Sequence, residues 1–225
     1  LIMQQQHDFF AQMLNHLVVK TYDDKVRYSG ITNWHQSHPY YRLNYYNEVQ
    51  ISQVLGIYLL FNKDFLSQYD TVVEIGSYNG GLSSYIFDNL KKDASFASFD
   101  IDPSINESNR KDIDFRIKDC FSKEGKREII ELIQQPGKTL LICDGGDKNK
   151  EFNTFSKYLK TDDIIILHDY KSDETPFEEV AEFWQWPYGY ESEWGAIKNS
   201  AEENNLEKYE YQRFNYFMWG SFIKK

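Results

Sequence analysis

A short apolar run followed by closely spaced glycines constrains the fold of this chain more than any other feature. Val72, Val73 and Ile75 form a β-branched run that predicts a buried parallel strand. Residues 76–81 contain three glycines, and without Cβ atoms the backbone there can turn tightly and approach a ligand closely. Apolar residues then recur at helical spacing over residues 82–90. The N–H groups at the start of such a helix favour an electronegative ligand.

The spacing of the glycines separates one kind of cofactor from another. A dinucleotide-binding turn has the pattern G-x-G-x-x-G, whose middle glycine makes room for a pyrophosphate. Residues 76–81 read GSYNGG and lack that glycine, which argues against a nicotinamide oxidoreductase. Glu74, inside the predicted strand, completes an E-x-G-x-x-x-G-G pattern. This pattern resembles the first motif of class I S-adenosylmethionine (SAM) dependent methyltransferases; the alternative is an ordinary tight turn with a spare carboxylate.

The resemblance implies which residues hold the cofactor. Those at the amino-acid end of SAM are Glu74, Gly76, Ser77, Tyr78, Asn79, Gly80 and Gly81. A second predicted strand, residues 95–100, ends at Asp100, whose carboxylate would accept both ribose hydroxyls, as in dinucleotide folds. Asp102 is the second candidate for this role, although Asp102 followed by Pro103 is equally suited to starting a turn.

A third predicted strand, residues 113–117, precedes Asp119 and Cys120. In the methyltransferase family an acid after this strand often meets the adenine amino group. The resemblance therefore implies that Asp119, with Cys120 beside it, contacts adenine. The alternative is that Asp119 only caps a helix predicted around residues 126–135.

Two further apolar strands, residues 139–143 and 164–167, both end in acidic residues. Asp144 follows the first strand, His168 and Asp169 follow the second, and a helix is predicted between them. A right-handed crossover would bring both strand ends to one edge of a parallel sheet, so the aspartates are expected to be neighbours. Neighbouring carboxylates repel each other unless a proton or a cation intervenes. Oxygen ligands with one imidazole favour Mg²⁺ or Mn²⁺.

This pairing resembles the metal-dependent small-molecule O-methyltransferases, including the sugar and macrolide O-methyltransferases and the cephalosporin-hydroxylase-like group. The resemblance implies metal ligands at Asp144, His168 and Asp169, although the family usually has a carboxylate or amide where His168 stands. His168 is therefore also a candidate for the catalytic base, or for a residue that orients the metal ligands without binding the metal itself. The structural alternatives are a turn residue at Asp144 and a hydrogen-bonded loop pair at residues 168–169.

The predicted catalytic residues are Asp144, Lys148 and His168. A divalent cation that coordinates an acceptor hydroxyl lowers the pKa of that hydroxyl. Lys148 would take the proton if burial and the cation depressed its own pKa. Catechol-type relatives place a lysine one residue closer to the first metal aspartate, so this assignment rests on an imperfect match.

The two ends of the chain are predicted to shape the acceptor site. Residues 28–41 are rich in aromatic and polar side chains, and their layout resembles the N-terminal lid of the cephalosporin-hydroxylase-like group. Such a lid suits a sugar-like acceptor; alternatively, this arm contacts a second copy of the chain in a homo-oligomer. A helix is predicted from about Asn47, another over residues 177–184 near the active-site mouth, and a final antiparallel strand over residues 213–223.

Composition narrows the class of protein further. The 225 residues carry a net charge of −10, which argues against a nucleic-acid partner. No apolar stretch approaches the roughly 20 residues of a membrane span, so no membrane association is expected. The two cysteines lack a C-x-x-C spacing, and a reduced, cytoplasmic protein is predicted.

Together these features predict one α/β domain with a Rossmann-like, doubly wound, mostly parallel seven-stranded sheet and an antiparallel last strand. Residues 1–70 are predicted to form a lid and helix packed on a SAM-binding core, residues 71–225. The predicted function is SAM-dependent O-methylation of a small, sugar-like or natural-product molecule, assisted by Mg²⁺ or Mn²⁺. Two rivals are a metal-independent methyltransferase of the same fold and a non-catalytic binding module.

Overall fold

The computed structural model describes residues 26–28, 44–46, 49–51, 57, 60–102, 110–175, 177–178 and 189–225. Three short strands come first and pair antiparallel in chain order: β1 (Val26–Tyr28), β2 (Asn44–Tyr46) and β3 (Val49–Ile51). The backbones of β2 and β3 lie beside the helix that follows the glycine turn.

Seven strands form the main sheet. They are β4 (Thr71–Ile75), β5 (Ser95–Asp100), β6 (Asp114–Ile117), β7 (Thr139–Cys143), β8 (Ile164–Leu167), β11 (Leu206–Lys208) and β12 (Gly220–Lys224). Their order across the sheet is β11-β12-β8-β7-β4-β5-β6. Strands β4 to β8 are parallel, and β12 runs antiparallel between β8 and β11. Two short strands, β9 (Tyr170–Lys171) and β10 (Ser192–Glu193), pair in parallel outside this sheet. The predicted fold class is confirmed.

Side-chain caps fix the start of some of the described helices but not of others. They are α1 (Lys63–Leu66), α2 (Gly81–Asn89), α3 (Lys123–Ile133), α4 (Lys148–Phe155), α5 (Trp194–Glu203) and α6 (Tyr211–Asn215). The Asp147 carboxylate accepts the N–H of Lys150 at 3.0 Å and so fixes the start of α4. Within the described residues, no helix has the length and apolar character needed to cross a membrane.

Both faces of the sheet are buried. Alternate residues of the central strands enter two hydrophobic clusters, Val72, Leu140 and Ile164 on one face and Val73, Leu141 and Ile165 on the other. This burial is what parallel strands covered by helices on both sides require. Because β4, β5, β7 and β8 run in the same direction, their carboxyl ends meet at one edge, where ligands bind in such folds.

Two predicted elements are wrong in their bounds. The final strand was predicted over residues 213–223, but Tyr211–Asn215 forms α6 and the strand begins only at Gly220. The aromatic composition resembled a strand, yet Phe214 is buried against Phe65, with ring centroids 5.7 Å apart. The helix predicted from about Asn47 is wrong at its start, because Val49–Ile51 is β3.

Two other predictions cannot be compared with a described element. The predicted lid, residues 28–41, lies outside the described residues except for Tyr28. The helix predicted over residues 177–184 also lies outside them, except for residues 177 and 178.

Candidate active site

The turn after β4 is fixed against the end of β7. Gly76 has a φ of +94°, and a Cβ added to it would lie 2.1 Å from the carbonyl oxygen of Asp144. Asp144 donates its backbone N–H to the carbonyl of Ile75 at 2.8 Å. Glycine alone tolerates both this φ and this close approach. The first glycine of the motif is therefore required by the backbone itself.

Glu74 lies behind this turn in a buried network of hydroxyl groups. Its Oε2 accepts hydrogen bonds from the hydroxyls of Ser83 and Ser98, while Oε1 is buried with no partner among the described residues. Burial raises the pKa of Glu74 to about 8, although the two hydroxyls favour the charged form. The carboxylate thus ties β4 to β5 and α2, and is not the spare group of the alternative interpretation.

A cavity of about 470 Å³ opens at the carboxyl edge of the sheet. Its walls include six of the predicted cofactor residues: Gly76, Tyr78, Asp100, Asp102, Asp119 and Cys120. The other predicted ones are absent from the described walls: Glu74, Ser77, Asn79, Gly80 and Gly81. Gly80 instead precedes α2 in a left-handed conformation with a φ of +79°, so it shapes the turn. The volume lies within the usual range of small-molecule sites.

Asp100 joins two loops at the rim of this cavity. Its Oδ2 accepts the N–H of Tyr78 at 2.8 Å, and its Oδ1 accepts the N–H of Asp102 at 2.9 Å. A carboxylate oxygen has a second lone pair, so each can still accept a hydroxyl group. Asp102 is exposed, and its backbone serves to orient Asp100. Of the two candidates, Asp100 is the better placed for a ribose.

Asp119 does not cap the helix that follows it. The N-cap of α3 is Ser122, whose hydroxyl accepts the N–H of Gly125 at 3.0 Å. The Oδ1 of Asp119 instead accepts the N–H of Phe121 at 2.8 Å and closes a turn in the cavity wall. Burial raises the pKa of Cys120 to about 12, so the thiol beside Asp119 stays neutral.

The ends of β7 and β8 bring the predicted catalytic and metal-binding residues into one cluster. Oδ1 of Asp144 lies 2.9 Å from Nδ1 of His168, which is 3.6 Å from Oδ2 of Asp169. Nζ of Lys148 lies 3.7 Å from Oδ1 of Asp144 and 3.8 Å from Oδ2 of Asp169. Asp144 is also part of the cavity wall, so this charged cluster adjoins the predicted cofactor cavity.

His168 is held on two sides. A carboxylate only accepts, so Nδ1 carries the hydrogen of the bond to Asp144. The imidazole stacks on the indole of Trp219, with ring centroids 4.3 Å apart. Nε2 is buried with no hydrogen-bond partner among the described residues. Burial lowers the pKa of His168, but the carboxylates of Asp144 and Asp169 outweigh it and raise the pKa above its ordinary value.

Lys148 is a buried ammonium at the start of α4. Its side chain is 3% exposed, donates to the carbonyl of Gly145 at 3.1 Å and forms an ion pair with Glu191. Burial lowers the pKa of Lys148, but the carboxylates of Asp144, Glu191 and Asp169 raise it by more. A lysine with a raised pKa is protonated near neutral pH. This arrangement therefore gives no support to the predicted role of Lys148 as a base.

The side chains of this cluster do not fit a divalent cation as they stand. Within the described part of the chain, no group of three His, Cys, Asp or Glu residues is arranged to hold a metal ion. Asp169 Oδ1 and His168 Nε2 are buried without partners there, but the nitrogen that faces the carboxylates is Nδ1, already bonded to Asp144. The Lys148 ammonium, in turn, contacts both carboxylates. An added cation would have to displace it.

Three residues at this site were not predicted from the sequence. Glu191 reaches Lys148 because β10 pairs with β9, directly after Asp169. Trp219 directly precedes β12, whose first residue, Gly220, pairs with Leu167 of β8. Glu151 accepts the N–H of Gly145 at 3.3 Å from within α4. Only Glu151 carried a signal in the sequence, as an acid in the first turn of a helix.

Comparison with known proteins finds similarity at the level of structure. No protein-family model matches the sequence, and no curated protein matches it. The structure of apo CmcI is similar with a TM-score of 0.54 and 15% identity over 94% of each chain. CmcI with Mg and SAM gives a TM-score of 0.54 and 16% identity over 94% of this chain and 95% of that one. The O-methyltransferase TomG from Streptomyces achromogenes, in complex with SAM, gives 0.46 and 12% over 85% and 86%.

The sheet order and the two CmcI structures define one fold. The chain has a Rossmann-like fold similar to that of CmcI. At 15% and 16% identity the two CmcI structures establish the fold of this chain and leave its chemistry to the residues of the site.

Proposed function

We propose that this protein is a SAM-dependent methyltransferase that acts on a hydroxyl group of a small, sugar-like or natural-product molecule. One observation carries the proposal: the cavity lined by Gly76, Asp100 and Asp119 shares Asp144 with the buried cluster around His168. In a methyl transfer to a hydroxyl, the methyl donor and the group that takes the hydroxyl proton must lie next to each other. Asp144 lies both in the cavity wall and in the cluster around His168.

The cavity accounts for a nucleoside-containing cofactor. Gly76 and Tyr78 of the glycine turn lie in the cavity wall, where the amino-acid end of SAM would approach their backbone. Asp100 would accept the ribose hydroxyls, and Asp119 with Cys120 would contact adenine, as the sequence predicts. A similar CmcI structure bears Mg and SAM in its name, which supports SAM as the cofactor here.

The reaction needs little from the protein beyond alignment and one proton acceptor. The acceptor oxygen forms a bond to the methyl carbon while the carbon–sulfur bond breaks and leaves a neutral thioether. The hydroxyl proton passes to Nε2 of His168, the ring nitrogen left free by the hydrogen bond between Nδ1 and Asp144. The Asp144 carboxylate stabilises the resulting imidazolium.

Assistance of the methyl transfer by a divalent cation stays a prediction from the sequence. Asp144, His168 and Asp169 remain the residues that would hold Mg²⁺ or Mn²⁺, and such an ion would polarise the acceptor oxygen. Because Lys148 already contacts both carboxylates, the proposed reaction has no step at a metal. A hydroxylated small-molecule acceptor, a cytoplasmic location, no nucleic-acid or membrane partner, and homo-oligomer formation through the N-terminal arm stay predictions from the sequence.

Binding of S-adenosylhomocysteine, measured by calorimetry, tests the proposal. We expect micromolar affinity for the unmodified chain and a loss of at least tenfold in Asp100→Asn, because the ribose would lose a charged acceptor. Asp93→Asn, an exposed position with the same change of charge, is the control and should bind as the unmodified chain does. If the unmodified chain does not bind S-adenosylhomocysteine, the proposal is wrong.

A screen with methyl-labelled SAM against hydroxylated small molecules then separates an enzyme from a binding module. Transfer to a hydroxyl supports the proposed reaction. Tight binding of S-adenosylhomocysteine without transfer to any acceptor would instead favour the non-catalytic binding module.

A further inference from the structure

We propose that the ammonium of Lys148 supplies, from within the chain, the positive charge that the family resemblance assigns to a divalent cation. The inference deepens the proposed function, on which it rests for the identity of the acceptor oxygen. Its geometric part concerns four side chains: Lys148, Asp144, Asp169 and Glu191.

The ammonium lies where carboxylates from three separate elements meet. Asp144 follows β7, Asp169 follows β8, and Glu191 precedes β10. Nζ of Lys148 is 3.7 Å from Oδ1 of Asp144 and 3.8 Å from Oδ2 of Asp169, and it is ion-paired with Glu191. These are the contacts expected of a cation that neutralises a carboxylate cluster.

A lysine at this position is unfavourable unless its charge is needed. Lys148 is the first residue of α4, where the helix dipole disfavours a positive charge. Its side chain is also only 3% exposed, and burying an unpaired ammonium is costly. Among the lysines of the described residues only Lys148 is buried, so this placement requires the surrounding carboxylates.

A divalent ion and the Lys148 ammonium would compete for the same oxygens. Mg²⁺ binds carboxylate oxygens at about 2.0–2.1 Å. An ion held by Asp144 Oδ1 would therefore lie within about 6 Å of Nζ, given the 3.7 Å between Nζ and that oxygen. At such a distance, in a buried site, two cations repel strongly. The Lys148 ammonium therefore weakens the binding of a divalent ion to these carboxylates.

One N–H of the Lys148 ammonium is available to donate a hydrogen bond to the acceptor. Gly145 and Glu191 take two of its three hydrogens. The oxygens of Asp144 and Asp169 lie at 3.7 and 3.8 Å, beyond hydrogen-bond length, so the third N–H has no close partner among these residues. Donated to the acceptor oxygen, it would stabilise the negative charge that develops as the proton leaves for His168.

Calorimetric titration with Mg²⁺, and separately with Mn²⁺, tests the inference on the full chain saturated with S-adenosylhomocysteine. We expect no site in the unmodified chain up to millimolar metal. Lys148→Gln should gain one divalent site, because its removal leaves three carboxylates without a cation. Lys198→Gln, which removes an exposed lysine of α5, is the control for net charge and should gain none.

Each outcome decides the inference. A stoichiometric site in the unmodified chain would overturn it, and so would absence of a site in folded Lys148→Gln, because the carboxylates would then not need a cation. If Lys148→Gln does not fold, the titration of the unmodified chain decides alone. Binding of S-adenosylhomocysteine is read in the same samples, so a failure of the proposed function is distinguished from a failure of this inference.

Discussion

A Cβ on Gly76 would lie 2.1 Å from the carbonyl oxygen of Asp144. The glycine turn proposed to contact the cofactor and the aspartate proposed to act near the acceptor are therefore in direct backbone contact. Neither segment can move without the other, because Asp144 also donates its N–H to Ile75 at 2.8 Å. The relative position of the two halves of the site is thus set by backbone packing.

Gly76→Ala should destabilise the fold and abolish binding of S-adenosylhomocysteine. The side chain would be strained at a φ of +94° and would collide with backbone atoms that cannot rotate away. We expect a loss of about 3 kcal/mol or more in the free energy of unfolding, measured by urea denaturation. The control is Gly146→Ala, where an added Cβ meets nothing within 4 Å. Equal stability of the two variants would contradict the role assigned to Gly76.

Ser98→Ala should weaken the fold by leaving the buried Glu74 carboxylate short of a donor. Ser98 and Ser83 both donate to Oε2 of Glu74, which is fully buried. Loss of one hydrogen-bond donor to a buried polar group costs about 1–3 kcal/mol. Urea denaturation should show this loss, whereas Ser95→Ala, at the exposed start of the same strand, should change stability by less than about 0.5 kcal/mol.

Glu151→Gln should flatten the pH dependence of stability. Burial raises the pKa of Glu151 from 4.5 to about 7. Between these values the folded chain holds a proton that the unfolded chain has lost, so stability falls as the pH rises and the full cost is reached above pH 7. The cost is about 3 kcal/mol, and Glu151→Gln does not incur it.

Urea denaturation at a series of pH values from 4 to 8 measures this effect. Glu131→Gln, on the exposed side of α3, should keep the slope of the unmodified chain. A slope that is unchanged in Glu151→Gln would show that this carboxyl group titrates normally.

His168→Asn should separate chemistry from cofactor binding. The variant lacks the Nε2 atom proposed to take the acceptor proton, so kcat should fall by about 10²–10⁴ once an acceptor is known. His168 is absent from the described cavity wall, so the affinity for S-adenosylhomocysteine should stay within about twofold. If the variant retained kcat, His168 would not be the group that takes the acceptor proton.

The sequence predicts the central sheet well, because buried parallel strands leave continuous apolar runs. Residues 95–100, 139–143 and 164–167 are strands with the predicted bounds. It also predicts which acids meet at the sheet edge, since parallel strands place their carboxyl ends together. Residues 213–223 were harder to predict, because an aromatic run serves equally in a helix face and a strand.

The electrostatics of the site were not predictable from spacing. Glu191 reaches Lys148 only through the pairing of β10 with β9, after a long intervening segment. Lys148 was predicted as a base with a depressed pKa, whereas three carboxylates raise that pKa. A pKa depends on the charges that surround a group in space, and the order of residues along the chain does not reveal them.

The stacking of Trp219 on His168 gives this protein an internal optical probe. The indole ring lies 4.3 Å from the imidazole that the proposed reaction charges, and no dye or label is needed to observe it. A positive charge arriving on that imidazole faces the π-electrons of the indole directly. In a chain whose other four tryptophans are replaced by phenylalanine, Trp219 emission would report the protonation of His168 as it happens.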